Sequence, residues 1–358
     1  MTVPDSAHDE RAPNERPVGV IAPHHLTVST PRGGGTVPLF ASGDWDAPQP
    51  RVERAVILLH GRLRNADVYF ELARRARASA RLDSDDTLLV VPQFLAAADV
   101  EAHQAPASTL HWEWTGWMGG DEALAPAPVS SFAVLDALFA VLADIARFPA
   151  LREVVVAGHS GGAQVAQRYA VVAQGEAPLT GRGIGVRYVI ANPSSYVYFD
   201  ILRPAADGGF SPYDAARCAG FNDWKYGLGA LPAYALDSAA ARGERGLERA
   251  YLSRDVTLLL GEQDCDPEHP ALDRSCAAMA QGQHRLARGL AYARYIDARG
   301  IAGRAHPMHR IPGAGHDADA VFSSPAGLAA LFGERGRAGS TLSSGQRQDG
   351  AEVAKSSR

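Results

Sequence analysis

Ser160 stands in Gly158-His159-Ser160-Gly161-Gly162, directly after the apolar run Glu153-Val154-Val155-Val156-Ala157. A serine hydroxyl is a weak nucleophile until a base takes its proton, and the base needs a third group to orient it. Both kinds of partner lie downstream. His316 closes the run Gly313-Ala314-Gly315-His316, and Asp264 lies three residues past Gly261 at the end of another apolar run, Asp255 to Gly261. Asp266 and Glu262 are rivals for the acid. His306 and His309 are rivals for the base, but three apart in an extended segment they face opposite sides, and they make no metal site together. Serine, imidazole and carboxylate in this combination are the tools of acyl transfer. That chemistry also needs donors for the oxygen of a carbonyl as it becomes tetrahedral.

The elements that must position these groups are short apolar runs alternating with amphipathic stretches. His25–Thr30 and Thr36–Ser42 read as a hairpin joined by a turn at Pro31-Arg32-Gly33-Gly34-Gly35. Arg54–His60, Thr87–Phe94, Glu153–Gly158, Val186–Pro193, Asp255–Gly261 and His306–Pro312 read as strands. Between them lie helices over 66–80, 130–148 with Ser130 or Ser131 as N-cap, 162–173, 276–300 and 318–333. Continuous Val/Ile/Leu strands separated by helices predict an α/β protein, with a mostly parallel sheet of about eight strands covered on both faces and an antiparallel start. Ser160 then falls on a strand-to-helix turn. A bend that sharp leaves no room for side chains at 158 and 162, so the glycines let the backbone lift the hydroxyl above the sheet edge.

In this order, His60-Gly61-Arg62, Gly158-His159-Ser160-Gly161-Gly162, Leu258 to Asp264 and Gly313 to Asp317 resemble the α/β-hydrolase superfamily over roughly residues 18–333. The resemblance implies that fold, no cofactor, no metal, and a Ser160–His316–Asp264 triad. It also implies an oxyanion hole made by the N–H of Gly161 and, from the loop after the third strand, the N–H of Arg62, with Gly61 the fallback. His60 reads as a packing histidine. The reaction implied is hydrolysis of a carboxylic ester or related acyl bond through an acyl-enzyme. An amidase, a peptidase or an acyltransferase would use the same atoms, and a non-catalytic binding protein on the same fold would usually have lost some of them. The gap from Asp264 to His316 is longer than usual for the fold because a long helix fills it.

Aromatic loops supply the expected specificity: Trp112, Trp114 and Trp117, then Tyr196 and Tyr198, then Trp224 and Tyr226. Converging on a cleft they would favour a small acyl substrate with an apolar or aromatic moiety; packed inward they would only join the loops to the core. The stretch 194–253, rich in rings and turns, reads as an inserted cap within one domain spanning 17–334. Residues 1–16 and 335–358 read as loose tails.

Composition excludes other classes. The chain has 358 residues, 46% hydrophobic and 21% charged, with a net charge of -5. No basic field suits nucleic acid, and no apolar run approaches the roughly 20 residues of a membrane helix. The N-terminus lacks the pattern of a secretory signal, so a cytoplasmic location is expected, with secretion the alternative. Of three cysteines, Cys265 and Cys276 are close enough in sequence to bridge, leaving Cys218 unpaired; three plain thiols are the alternative.

Overall fold

The computed structural model describes residues 12–300 and 306–333. Eight strands form one sheet: β1 (His24–Thr30), β2 (Gly33–Ala41), β3 (Arg54–Leu59), β4 (Thr87–Pro92), β5 (Glu153–His159), β6 (Gly185–Ala191), β7 (Asp255–Gly261) and β8 (Met308–Ile311). Their spatial order is β1-β2-β4-β3-β5-β6-β7-β8. β1 and β2 pair antiparallel, β2 pairs antiparallel with β4, and every later pairing is parallel. One turn is tighter than the sequence suggested. The first hairpin turns on Pro31-Arg32 alone, and Gly33, Gly34 and Gly35 belong to β2, where they pair with Thr30, Ser29 and Val28.

Each central strand is apolar on both sides because both sides are covered. Ile57, Val90, Val156 and Ile190 face one layer, which contains α2 (Ser131–Leu142), α3 (Gly161–Val172), α4 (Ala233–Ser253) and α5 (Arg285–Asp297). Their neighbours Val56, Leu89, Val155 and Val189 face the other, with α1 (Ala66–Ser79), α6 (Ala318–Phe322) and α7 (Pro325–Phe332). Side chains one residue apart point to opposite faces of a strand, so a single apolar run serves two cores.

Several helices stop earlier than periodicity suggests. α2 begins at the expected cap, with Ser130 Oγ accepting from Phe132 N–H, and ends at Leu142 rather than near 148. The helix expected over 276–300 is two, Cys276–Met279 and α5, broken where Gly282 takes φ +144° and His284 caps the second. The last helix divides at Pro325, capped by Ser324. Within 194–253, α4 is the crossover helix from β6 to β7 and packs on α3; it is broken at Gly243. The rest is irregular apart from a small hairpin of Leu202–Pro204 with Phe210–Pro212 and a single 3-10 turn at Ala215–Arg217.

The cysteine pairing differs from expectation. Cys218 bridges Cys276, with Cα atoms 5.8 Å apart, and Cys265 is the free and exposed one. Cys265 lies in the loop after β7 and is no part of the small apolar cluster of Cys218, Phe221 and Ala277 at the bridge. Residues 12–16, expected as part of a loose tail, fold against the loop after β3 through a short turn at Pro13–Glu15. The rest of both tails lies outside the described residues. Among the described residues no helix is long and apolar enough to cross a membrane.

Candidate active site

Ser160 follows β5, a central strand, and opens α3 with φ 56° and ψ -115°. A left-handed backbone at a residue bearing a side chain costs about 1–3 kcal/mol and persists only where packing enforces it. Packing does so here. A Cβ on Gly158 would lie 2.3 Å from the carbonyl of Gly162, and one on Gly162 would lie 2.2 Å from the Leu59 carbonyl oxygen. The two glycines let α3 start against the ends of β5 and β3.

His316 comes from the loop after β8 and Asp264 from the loop after β7. His316 Nε2 lies 2.9 Å from Ser160 Oγ, and Nδ1 lies 2.7 Å from Asp264 Oδ2. Gly261 makes this meeting sterically possible: a Cβ there would lie 2.6 Å from the Ala314 carbonyl oxygen and 2.7 Å from that of Gly315. Asn192, just past β6, ties the parts together. Its Oδ1 accepts from Gly261 N–H at 2.8 Å, and its Nδ2 donates to the Gly315 carbonyl at 3.3 Å. Sequence reasoning passed over Asn192; its place at the carboxyl end of a strand, before Pro193, was the available signal.

Asp264 is almost fully buried and has a second partner that sequence reasoning also missed. Arg285 Nη1 lies 3.3 Å from Asp264 Oδ1, and Arg285 Nε donates to Ser194 Oγ at 3.1 Å. Burial pushes the Asp264 carboxyl up, but the hydrogen bond from His316 and the charges beside it outweigh burial and hold it below the usual carboxylate range. His316 is pushed down, chiefly by burial, with the Arg285 charge adding to burial and the Asp264 hydrogen bond opposing it. Its ring sits between His159, 4.6 Å away by ring centroids, and His269, 4.9 Å away. Burial holds His159 well below the ordinary imidazole value, so it adds no charge at neutral pH.

The competitors are elsewhere. Asp266 is exposed and its Oδ1 caps a turn by accepting from Glu268 N–H. Glu262 pairs with Arg310 at 3.0 Å. His306 is buried edge-on to Tyr251, ahead of β8, and His309 is exposed. His60 packs as expected: Nδ1 donates to the Gly61 carbonyl and Nε2 accepts from Phe94 N–H, each at 2.9 Å.

Beside Ser160 stand two backbone donors. Gly161 is the first residue of α3, so its N–H has no partner within the helix. The N of Arg62 lies 3.0 Å from where a Gly161 Cβ would stand, which keeps the space between the two donors clear only while residue 161 is glycine. The carbonyl of Gly61 is taken up by His60 and by Arg64 N–H. The Arg62 guanidinium bonds the Asn14 side chain. The buried Arg64 pairs with Asp99 at 2.7 Å and donates to the carbonyls of Asn14 and Arg16, which fastens 12–16 over this loop.

Two cavities meet at Ser160. One of about 520 Å³ lies on the imidazole side, bordered by Pro13, Leu63, Val68, Tyr69, His269 and His316 among others. The other, about 190 Å³, lies on the α3 side, bordered by Met118, Gln164, Lys225, Tyr226 and Asp273. Of the seven aromatic candidates only Tyr226 borders either. Trp112 and Trp117 are buried against Phe94, the second stacked at 5.1 Å. Tyr196 and Tyr198 are buried against Tyr292 and Tyr295. Trp114 lies under Arg64, and Trp224 donates to the Gly119 carbonyl at 2.6 Å. The rings pack the loops onto the body because each buries more apolar area there than it could in a half-open cleft.

No family model matches the chain, and no curated protein does. Among solved structures, a poly(aspartic acid) hydrolase from Sphingomonas sp. KT-1 is similar at 21% identity and a TM-score of 0.55, over 87% of this chain and 100% of that one. A poly(3-hydroxybutyrate) depolymerase from Bordetella parapertussis is similar at 20% identity and a TM-score of 0.55, over 90% of this chain and 95% of that one. At these identities the likeness is one of fold.

Proposed function

We propose that this chain, which has the α/β-hydrolase fold, is a serine hydrolase that cleaves a carboxylic ester through an acyl-enzyme. The observation that carries the reading is the line Ser160 Oγ–His316–Asp264, at 2.9 and 2.7 Å. His316, neutral at pH 7 because burial disfavours its charged form, takes the serine proton as Oγ attacks the acyl carbon. Asp264 fixes the tautomer and stabilises the imidazolium that forms. The N–H groups of Gly161 and Arg62 receive the carbonyl oxygen as it becomes negative. The imidazolium then protonates the leaving oxygen. Water then attacks the acyl carbon while giving a proton to the same nitrogen, and the imidazolium returns that proton to Ser160 Oγ as its bond to the acyl carbon breaks and the acid leaves.

One structural relative is named a poly(aspartic acid) hydrolase and the other a poly(3-hydroxybutyrate) depolymerase, which agrees with this reading. The test combines fluorophosphonate labelling with a panel of esters and their amide analogues. Labelling confined to Ser160, and ester turnover abolished in Ser160→Ala with the fold intact, is the expected result. Full activity in that variant would end the proposal. Faster amide than ester cleavage, or transfer to an added alcohol in preference to water, would reassign the reaction while keeping the serine.

A further inference from the structure

Two cations behind Ser160 make no ion pair with a carboxylate among the described residues. Arg168, fully buried on α3, donates there to neutral groups: the Met118 carbonyl at 2.6 Å, Gln164 Oε1 at 2.5 Å and Ser195 Oγ at 2.9 Å. Lys225 borders the smaller cavity, and among the described residues its ammonium makes no ion pair and no hydrogen bond. Burying a cation without a counter-charge costs several kcal/mol, so an unpaired one facing a cavity marks a place for an anion.

The surroundings agree. Gln164 borders the same cavity with its oxygen committed to Arg168 and Ser195, and its Nε2 has no acceptor among the described residues. The carboxylate that shares this cavity, Asp273, accepts from Tyr226 Oη at 2.7 Å and Ser275 N–H at 3.0 Å, and its charge acts on Lys225 and Arg168 through space without pairing with either among the described residues. Asp121, the other acid near Lys225, is raised by burial, with the Lys225 and Arg168 charges opposing. Burial and the Arg168 charge together lower Lys225 to about 8, a strain that an entering anion relieves.

Which part of a substrate enters follows from proton delivery. His316 must protonate the leaving oxygen, so the leaving group lies on the imidazole side, in the larger cavity that His316 borders. His316 does not border the smaller one, which therefore takes the acyl chain. Its 190 Å³ equals about six waters at roughly 30 Å³ each, room for a short chain and one terminal group. We infer that Lys225 binds a carboxylate at the far end of the acyl chain, so that the substrates are half-esters of short dicarboxylic acids. The inference rests on the ester-hydrolase reading for its chemistry but not for its binding site.

The experiment compares monoethyl glutarate with the ethyl ester of glutaric acid monoamide, which has the same shape and no charge. Acid release is followed at constant pH, and fluorophosphonate titration counts competent sites. The expected kcat/KM ratio, charged over neutral, is about tenfold or more, the worth of one well-placed charge pair, and it collapses toward about one in Lys225→Met. Lys225→Arg should keep part of the preference, since it keeps the charge. Equal rates in the native chain, or a ratio that Lys225→Met leaves untouched, would overturn the inference while labelled Ser160 preserves the hydrolase reading. If neither ester is cleaved and Ser160 is not labelled, the hydrolase reading fails, and calorimetry with glutarate on Ser160→Ala still decides the subsite. Binding that disappears when Lys225→Met is added sustains it, and no binding overturns it.

Discussion

Replacing Gly162 by alanine tests the mechanical core of the proposal. The new Cβ would lie 2.2 Å from the Leu59 carbonyl oxygen, 2.6 Å from its carbon and 2.7 Å from the His60 carbonyl oxygen. Ordinary contact begins near 3.4 Å, so something must move by about 1 Å, and the obstructing atoms are backbone that no rotamer change can clear. Either α3 lifts at its first turn or the end of β3 retreats. The first carries Ser160 and Gly161, and the second leads into Arg62, so both routes separate the nucleophile from a donor. Misplacing reacting groups by about 1 Å costs roughly a hundredfold, and losing one oxyanion donor costs about 10²–10³. Over-packing itself costs about 1–3 kcal/mol. The expected variant is folded, melts a few degrees lower, keeps KM for a simple ester and loses kcat by about 10²–10³. Gly315→Ala is the control, since nothing lies within 4 Å of its added carbon and its φ is not in the left-handed range. A Gly162→Ala enzyme with native kcat, or an equal loss from Gly315→Ala, would refute the steric account.

Three further outcomes are expected. Asp264→Asn should lower kcat by about 10³–10⁴, while Asp266→Asn, exposed and hydrogen-bonded within its own turn, should stay within about twofold; equal small losses would mean that neither carboxylate orients the imidazole. The His316 value is depressed below 6.5 and the neutral form is the active one, so kcat/KM should rise with pH and reach half its plateau below 6.5; a midpoint at 7 or above contradicts the burial argument. Reducing the Cys218–Cys276 bridge, which spans 58 positions, should remove about 4 kcal/mol in the loop-entropy picture and lower Tm, with Cys218→Ala reproducing the effect without reductant; an unchanged Tm would show that the two segments are held by packing alone.

The strands and the serine were legible because both are written locally. Val154 to Ala157 is strand-forming whatever lies around it, and Gly158, Ser160 and Gly162 follow from the geometry of one bend. His316 was legible from its glycines, although the glycine that seats its loop is Gly261, fifty-five positions earlier. Long helices were misjudged where a buried polar need interrupts them. Gln281 leaves the helical run to satisfy the backbone of Tyr196, and the chain turns at Gly282 to restart at Arg285. The aromatic loops were misjudged because ring-rich segments read alike whether they face a cleft or a core.

Composition and pattern along the chain by themselves determined a layered α/β body with a serine raised on a strand-to-helix bend, since those depend on residues within a few positions of one another. Tertiary structure alone decided that Arg285 grips Asp264, that Asn192 joins three loops, that Cys218 rather than Cys265 meets Cys276, and that Lys225 borders a cavity with no ion pair among the described residues. Each of these is a contact between segments dozens of residues apart, set by how the layers stack, and no local spacing encodes the stacking.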